Sequence, residues 1–409
     1  MIQEKEVVIV AACRTPFDKF GGVMREVPSI ELGRMVLEEV VRRAGVEKSA
    51  VEEIFYGCCM HAEFAMYQNI PARQAMLKAG FPPETLSSSV DRACCSSMLA
   101  VEQAFNAIRF GEREVCIAAG AENMSNLAYL VSPKIRWGTK MGPVEMDDQV
   151  FPNGYGRTGW NPVALDAGNV ALEYDVSREE QDRWAAQSQQ RYQDALAAGR
   201  WDAEMFPIEV PGPKNTTIRV DADAGPRPGT TYESLAKLKT VYGSPTITAG
   251  NAPGMNTGAS AILLMSADKA KELGLKPLAY VRAVASVADK AEYIPRVPAT
   301  AIKEAVQKMG LGVDDIDLIE INEAFAAMPL VSTKILGDGD KARIERLRSI
   351  TNVNGGAIAL GHPVGATGAR LVMTCMFELI RRGGGIGAAA ICGGLAQGDC
   401  VMIEVRPEA

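Results

Sequence analysis

Segments in opposite halves of the chain follow the same order of local structure. Residues 44–57 and residues 309–322 each run from a helix end through an acidic turn into an apolar strand. Residues 105–120 and residues 378–393 share a second order, in which a helix, a glycine turn and a strand of small residues follow one another. The repeats predict that both halves build the same βα unit, with functional side chains collected where the halves meet.

Residues 126–245 do not repeat and are rich in proline and glycine. One helix is predicted to begin there, at residues 177–180, because a serine followed three residues later by glutamate forms a capping box. A charged run at residues 337–348 is interpreted as a solvated helix face, with a contact to a partner or ligand as the alternative. The chain of 409 residues is long enough for two core-bearing domains or one duplicated domain.

Composition and charge argue against several classes of protein. The chain has no run of eighteen apolar residues and begins directly with a predicted strand. We therefore expect neither a membrane span nor a signal peptide, and a cytoplasmic location. Nine cysteines without a CxxC spacing are typical of reduced thiols, not of a disulfide framework or a zinc site. A net charge of −7 without a basic run argues against a nucleic-acid partner.

His362 is one of only two histidines and lies in a glycine-rich loop. Five glycines between residues 355 and 368 permit tight turns, and the apolar run 366–380 predicts a buried helix that ends at Gly383. A lone histidine in such a loop is usually structural. A catalytic role is favoured only when three other segments are considered with it.

Reactive groups in these three segments stand at the ends of predicted strands or helices. Cys94 precedes an apolar helix, whose free N–H groups and macrodipole favour a thiolate. Asn322 and Glu323 end a short apolar strand, and Cys392 ends a strand of small residues. Each signal alone is weak, because a cysteine at a strand end more often packs than reacts. Together with His362 they supply a nucleophile, an activator, a second acid/base and an oxyanion donor for acyl transfer.

Motifs along nearly the whole chain resemble those of the thiolase family, whose members make or break carbon–carbon bonds in 3-ketoacyl-CoA thioesters. The matching motifs are residues 7–17, 90–100, 119–125, 248–252, 319–326, 354–363 and 388–394. The resemblance implies an α/β thiolase fold, in which two duplicated βαβαβαββ halves form five layers, αβαβα, with an inserted loop domain. The implied domains are an N-terminal half at 1–125 and 246–275, a loop domain over the CoA site at 126–245, and a C-terminal half at 276–409.

The resemblance also implies a role for each of five residues. Cys94 takes the acyl group, His362 activates it and helps to bind the thioester oxygen, and Cys392 moves the α-proton. Asn322 holds a water in the oxyanion hole shared with His362, and the N–H groups of Cys94 and Gly394 form the second hole. The implied activity is the reversible, CoA-dependent cleavage or formation of a 3-ketoacyl-CoA. Coenzyme A is the expected co-substrate, without a metal or prosthetic group.

Four further positions match residues that line the CoA or acyl channel in relatives: Arg227, Ser234, Ala249 and Phe325. Arg227 suits the adenine end or a phosphate, although a solvated surface arginine explains it almost as well. His61 falls in a segment that packs at the dimer interface of relatives and is interpreted as structural. The implied assembly is a homodimer or homotetramer with CoA and acyl-CoA as its ligands.

Several positions depart from the family pattern. Asp91 stands where relatives usually carry asparagine, and Cys95 and Ser97 replace small residues. Residues 161–163 stand where short-chain relatives show a His-Met pair, and Pro253 replaces a serine that touches the pantetheine. Because these changes remove polar and sulfur contacts around the acyl pocket, we expect a substrate range that is not restricted to acetoacetyl-CoA.

Three alternatives stay open. An acetyl-CoA C-acetyltransferase specific for acetoacetyl-CoA would use the same residues. A ketosynthase-type condensing enzyme shares the nucleophilic cysteine but needs a second catalytic histidine where Asn322 stands. A non-catalytic acyl-CoA-binding subunit is conceivable because of the substitutions around Cys94, although all four catalytic positions are filled.

Overall fold

The computed structural model describes residues 4–59, 63, 69–149 and 159–407, and His61 lies outside them. The strands are β1 (Val7–Arg14), β2 (Asp18–Lys19), β3 (Glu53–Gly57), β4 (Leu86–Val90), β5 (Val115–Asn123), β6 (Tyr129–Val131), β7 (Met146–Asp148), β8 (Ile208–Pro211), β9 (Thr217–Val220), β10 (Asn256–Ser266), β11 (Ala279–Ala288), β12 (Leu318–Ile321), β13 (Gly385–Gly393) and β14 (Gln397–Val405). The helices are α1 (Ser29–Ala44), α2 (Pro71–Lys78), α3 (Ser96–Arg109), α4 (Val163–Glu173), α5 (Arg178–Ala197), α6 (Tyr232–Leu235), α7 (Ala267–Glu272), α8 (Val297–Lys308), α9 (Ala327–Gly337), α10 (Lys341–Ser349), α11 (Ala357–Leu360) and α12 (Thr367–Arg381). No helix among the described residues is long and apolar enough to cross a bilayer.

The main sheet displays the duplication directly. Its strands follow the order β12, β13, β14, β11, β1, β10, β5, β3, β4, and β2 pairs beside β10. β3 runs parallel to β5 and β12 runs parallel to β13, whereas the neighbours that follow in each half are antiparallel. The sets β3, β5, β10, β1 and β12, β13, β14, β11 therefore have the same order and directions. The predicted repeat is confirmed, because β3 and β12 carry its first segment and β5 and β13 its second.

Three clusters of buried hydrophobic side chains lie between the layers of the fold. α1 and α2 cover the outer face of the N-terminal strands, and α8 and α9 cover the outer face of the C-terminal strands. α3 and α12 lie between the two sets of strands, in a cluster that takes residues from both halves. The layers therefore follow the order helices, N-terminal strands, helices, C-terminal strands, helices. This order confirms the predicted five-layer α/β fold.

Residues of β5 alternate between two of these clusters. Ile117 and Ala119 pack outward with α1, whereas Cys116 and Ala118 pack against the central helices. A strand that is buried on both faces carries apolar or small residues at every position. The same burial on both faces explains why β5 and β13 were recognisable as matching strands of small residues.

The inserted region contains the helix predicted from its capping box. Ser177 Oγ accepts a hydrogen bond from the Glu180 N–H at 3.1 Å, and α5 begins at the next residue, Arg178. The charged run forms α10, whose mostly exposed residues fit the predicted solvated face. Its Arg348 forms an ion pair with Glu180 at 2.8 Å, so the helix is also attached to α5.

Candidate active site

Cys94 lies on a strained turn between β4 and α3. The preceding residue, Ala93, has a φ of 48°, which is unusual for a residue other than glycine. Asp91 Oδ1 accepts a hydrogen bond from the Ala93 N–H at 2.9 Å. Ser96 Oγ donates to the Ala93 carbonyl at 2.6 Å and accepts from the Arg92 N–H at 3.0 Å. Because strained backbone persists only where its surroundings fix it, these contacts define the position of Cys94.

The Cys94 side chain is a protonated thiol near pH 7 and not a thiolate. Burial raises the pKa of Cys94 to about 12, and the Glu122 and Asp91 carboxylates add to this effect while a backbone N–H opposes it. The sequence-based expectation of a thiolate was therefore wrong, because desolvation outweighs the favourable N–H groups at the helix N-terminus. The thiol needs a base to accept its proton during attack.

His362 is held at its backbone and at both ring nitrogens. Its N–H donates to Asn256 Oδ1 at 2.8 Å, Nδ1 lies 2.7 Å from Thr367 Oγ1, and Nε2 lies 3.4 Å from Asn322 Nδ2. Thr367 Oγ1 donates its proton to the Pro363 carbonyl at 2.8 Å, so it accepts one from Nδ1. Nε2 is left with its lone pair, as a general base requires.

A buried arginine and a buried glutamate lie close to His362. Arg370 Nη1 and Glu320 Oε2 are 3.5 Å apart, and both side chains are fully buried. Burial and the Arg370 charge lower the pKa of His362 to about 3. The imidazole is therefore neutral near pH 7. The Cys94 thiol and the imidazole are thus both neutral near pH 7.

Cys392, at the end of β13, is a neighbour of Cys94. Burial raises the pKa of Cys392, and a negative charge on Cys94 would raise it further. Gly393 lies directly against the Cys94 turn: a Cβ added there would lie 2.9 Å from the Arg92 carbonyl oxygen and 3.0 Å from Cys95 Sγ. Only glycine permits this approach, which brings the two cysteines together.

Asn322 and Gly394 lie beside these residues. The Asn322 N–H donates to the Ala390 carbonyl on β13 at 3.0 Å, and its Oδ1 has no hydrogen-bond partner among the described residues. Gly394 is buried in the turn between β13 and β14, two residues after Cys392. The structure thus brings all five predicted catalytic residues to the place where the halves meet. Cys94 comes from the N-terminal half and the others come from the C-terminal half.

Three of the predicted CoA-channel residues lie around one loop. Ala249 belongs to residues 248–252 and is exposed, as is Ser234, whereas Phe325 is half-buried. The Ala326 N–H donates to the Asn251 carbonyl at 2.9 Å, which joins the loop to the turn that carries Phe325. Ser234 already uses its hydroxyl to cap α6. These positions face solvent or the border of the core.

Arg227 lies apart from these three residues. Its N–H donates to Gln189 Oε1 at 2.8 Å, and Gln189 Nε2 donates to the Ile358 carbonyl at 3.1 Å. Ile358 belongs to α11, immediately before the His362 loop, and the Arg227 side chain is exposed. Among the residues that the structure describes, no group of three or more His, Cys, Asp or Glu side chains is arranged to hold a metal ion.

The sequence did not reveal which contacts fix the His362 loop. Glu323, noted only as a carboxylate at a strand end, accepts hydrogen bonds from Trp184 Nε1 at 2.9 Å, Ser188 Oγ at 2.7 Å and the Ile358 N–H at 3.1 Å. This buried carboxylate joins α5 to α11. Its partners are distant in sequence, and the available signal was only that it directly follows Asn322.

Comparisons with known proteins agree with this geometry. The family description "Thiolase, N-terminal domain" matches residues 7–268, and "Thiolase, C-terminal domain" matches residues 275–405. An acetyl-CoA acetyltransferase of Syntrophomonas wolfei subsp. wolfei is 38% identical over 98% of this chain and 99% of its own length. A beta-ketoadipyl-CoA thiolase of Pseudomonas aeruginosa is 40% identical over 98% of this chain and 99% of its own.

A solved structure shows the same fold. The crystal structure of human mitochondrial 3-ketoacyl-CoA thiolase in complex with CoA matches with a TM-score of 0.91 and 35% sequence identity. The match covers 99% of this chain and 99% of that chain. This protein therefore belongs to the thiolase family of acyltransferase enzymes.

Proposed function

We propose that this protein catalyses the reversible CoA-dependent conversion of a 3-ketoacyl-CoA into an acyl-CoA and acetyl-CoA, through an acyl-enzyme on Cys94. The observation that carries this proposal is the meeting of the end of β13 with the Cys94 turn at Gly393, together with Asn322, which joins β13 to the His362 imidazole. Carbon–carbon bond cleavage needs one group to take the acyl chain and another to protonate the departing carbanion. Two neighbouring thiols fit these tasks.

The proposed cycle balances its protons among three side chains. Cys94 Sγ attacks the 3-keto carbon while its proton passes to His362 Nε2. The C2–C3 bond then breaks, and Cys392 gives its proton to the acetyl-CoA carbanion. The CoA thiol then gives its proton to the Cys392 thiolate and attacks the acyl group on Cys94. The Cys94 thiolate that is released takes back the first proton from His362. Every step is reversible, so the same residues serve condensation.

Oxyanion stabilisation is assigned to groups beside the two thiols. Once protonated, His362 Nε2 becomes a donor, and the Asn322 amide at 3.4 Å supports its partnership in one oxyanion hole. The N–H groups of Cys94 and Gly394 are proposed for the second hole. Arg227, Ser234, Ala249 and Phe325 are proposed to line the path of the CoA arm.

The proposed acyl range is broader than acetoacetyl-CoA. The departures around Cys94 and at Pro253 support it, and relatives are named both acetyl-CoA acetyltransferase and beta-ketoadipyl-CoA thiolase. Thiolysis should be measured over straight-chain, branched, aromatic and carboxylated 3-ketoacyl-CoAs. Activity confined to acetoacetyl-CoA would instead identify an acetoacetyl-CoA-specific acetyl-CoA C-acetyltransferase.

Mass spectrometry of the intact protein tests the acyl-enzyme. After incubation with acetyl-CoA or a 3-ketoacyl-CoA, we expect an acyl adduct on Cys94 that is absent in Cys94→Ser. Cys392→Ser should still be acylated but should not turn over. Cys116→Ala, which removes a buried thiol from the central core, serves as the control and should retain both properties. An unacylated, inactive wild-type protein would support the non-catalytic alternative.

A further inference from the structure

A polar cluster connects the Cys94 turn to the C-terminal strands. It consists of Arg92, Glu102, Ser286 and Asp399, here called the Arg92 cluster. Arg92 Nη1 donates to Asp399 Oδ1 at 2.8 Å and to Ser286 Oγ at 2.6 Å. Ser286 Oγ lies 2.8 Å from Asp399 Oδ1 and 2.6 Å from Glu102 Oε2. The cluster therefore joins α3 and the turn before it to β11 and β14.

Because Asp399 is buried, its carboxylate depends on the groups that surround it. The Asp399 side chain is 2% exposed and that of Arg92 is 24% exposed. A carboxylate with so little access to water needs hydrogen bonds or a cation to offset its lost hydration. Arg92 is the cation that supplies this, because Glu102, the other charged member, is an anion 3.8 Å from the same guanidinium nitrogen.

The cluster lies next to both thiols. Arg92 precedes Cys94 by two residues, with the strained Ala93 between them. Asp399 is the β-ladder partner of Ile391, the residue before Cys392. One ion pair therefore connects the turn that carries Cys94 to β14, the strand that pairs with the strand of Cys392.

We propose that Arg92 and Asp399 are positioning residues that hold Cys94 at its working distance from Cys392. The proposal rests on the proposed function, in which one thiol is acylated while the other moves the proton. Without the pair, the Ala93 turn loses its attachment to β14 and the Cys94 thiol shifts relative to Cys392. Each thiol keeps its own surroundings, so the steps that need a single thiol persist while the complete reaction slows.

The test compares complete turnover with partial reactions in Asp399→Asn, which removes the charge and keeps the shape. We expect kcat for thiolysis to fall on the order of 10²-fold, as misplacement of reacting groups by about 1 Å does. KM should stay within about twofold of wild type. Cys392-dependent exchange of the acetyl-CoA methyl protons with deuterium oxide should stay near the wild-type rate, and acetyl-Cys94 should still form.

Two further comparisons separate positioning from folding. Arg92→Lys, which keeps the cation, should retain much more of kcat than Arg92→Gln. Glu404→Gln, which removes a more exposed carboxylate from the same strand β14, should leave kcat unchanged. If Asp399→Asn does not fold, Ser286→Ala removes only the bridging hydroxyl and should give a smaller loss of kcat with unchanged exchange.

Unchanged kcat in Asp399→Asn and Arg92→Gln would overturn the proposal. A loss of exchange, acylation and turnover by the same factor would also overturn it, because that result shows a structural role alone. Failure of the proposed function is distinguishable from both, since the wild-type protein would then form no acetyl-Cys94 and catalyse no exchange.

Discussion

The proton on His362 is assigned by a single chain of hydrogen bonds. Nδ1 donates to Thr367, whose hydroxyl donates onward to the Pro363 carbonyl. If the threonine is lost, either ring nitrogen can carry the proton and the ring can turn. The orientation of the proposed base therefore depends on the Thr367 hydroxyl.

Replacing this hydroxyl should slow the enzyme without removing the base. We expect Thr367→Val to lower kcat about tenfold to a hundredfold, less than the 10²- to 10⁴-fold typical of deleting a general base, as in His362→Ala. Steady-state thiolysis measures the effect. Thr300→Val on α8, where the hydroxyl is exposed, is the matched control. Equal losses in Thr367→Val and His362→Ala would contradict a role limited to orientation.

The charge state of His362 gives a prediction about pH. Burial lowers its pKa to about 3, so the folded protein keeps the imidazole neutral where the unfolded chain becomes protonated. The resulting stability is fully present above pH 6.5 and is lost as pH falls toward 3. In a His61→Gln variant, whose single imidazole is His362, NMR should show no ring titration between pH 5 and 8. A midpoint near 6.5 would refute the buried neutral state.

The candidate reacting residues could be selected from the sequence, because Cys94, Asn322, His362 and Cys392 lie in short motifs at element ends. The protonation state of Cys94 could not. It depends on burial and on Glu122, a residue on β5 whose approach to the turn follows from strand packing. The position of Cys94 at a helix N-terminus had indicated a lowered pKa and not a raised one.

At the scale of elements, β12 and α12 are joined by the buried Arg370–Glu320 pair. Glu320 stands two residues before Asn322 on β12, and Arg370 lies three residues after Thr367 on α12. Glu320 thus lies one two-residue strand repeat before Asn322, and Arg370 lies about one helical turn after Thr367. Asn322 and Thr367 are the residues that contact the imidazole. Burial raises the pKa of Glu320 to about 8, although the Arg370 charge opposes this shift.

This raised pKa makes the stability of the protein depend on pH. The folded state binds a proton at Glu320 more tightly than the unfolded chain, whose glutamate pKa is about 4.3. The contribution is fully present below that value and is lost as pH rises through 8. Relative to wild type, Glu320→Gln should gain stability between pH 5 and 8 in urea denaturation. Glu404→Gln, at a partly exposed position, should show no such trend, and parallel curves for Glu320→Gln and wild type would contradict the assignment.

Element boundaries near the site were largely predictable, and the contacts between elements were not. The helix predicted at 366–380 is α12, and the apolar helix predicted after Cys94 is α3 (Ser96–Arg109), because apolar periodicity and glycine stops act locally. Contacts such as Arg92 with Asp399 depend on the register between distant strands. A single sequence contains no direct signal for that register.

For the whole molecule, the surface predicts self-association. Large apolar side chains that lie along β6, β7 and the adjoining loops are exposed to solvent: Tyr129, Leu130, Trp137, Met141, Met146 and Trp160. Exposed apolar groups of this extent are typical of interfaces. Light scattering after size exclusion should give a dimer or tetramer mass. Trp137→Glu with Met141→Glu should lower that mass, whereas the same change at the isolated Phe110 should not.

The duplication was visible in the sequence because matching βα units repeat their order of turns and small-residue strands. The proposed path of the CoA arm was harder to predict from the sequence. It depends on contacts between distant segments, such as the hydrogen bonds that Trp184 and Ser188 of α5 donate to Glu323. Those contacts join segments far apart in the chain, beyond the reach of local patterns.

Each half of the molecule supports the reacting group of the other. Arg92 of the N-terminal half is attached to β11 and β14, while the backbone of His362 in the C-terminal half is held by Asn256 at the start of β10. Chimeras that combine one half of this protein with the complementary half of a relative will therefore lose activity even when both parents are active. Function should return only when the bridging residues are transplanted together with the half that they serve.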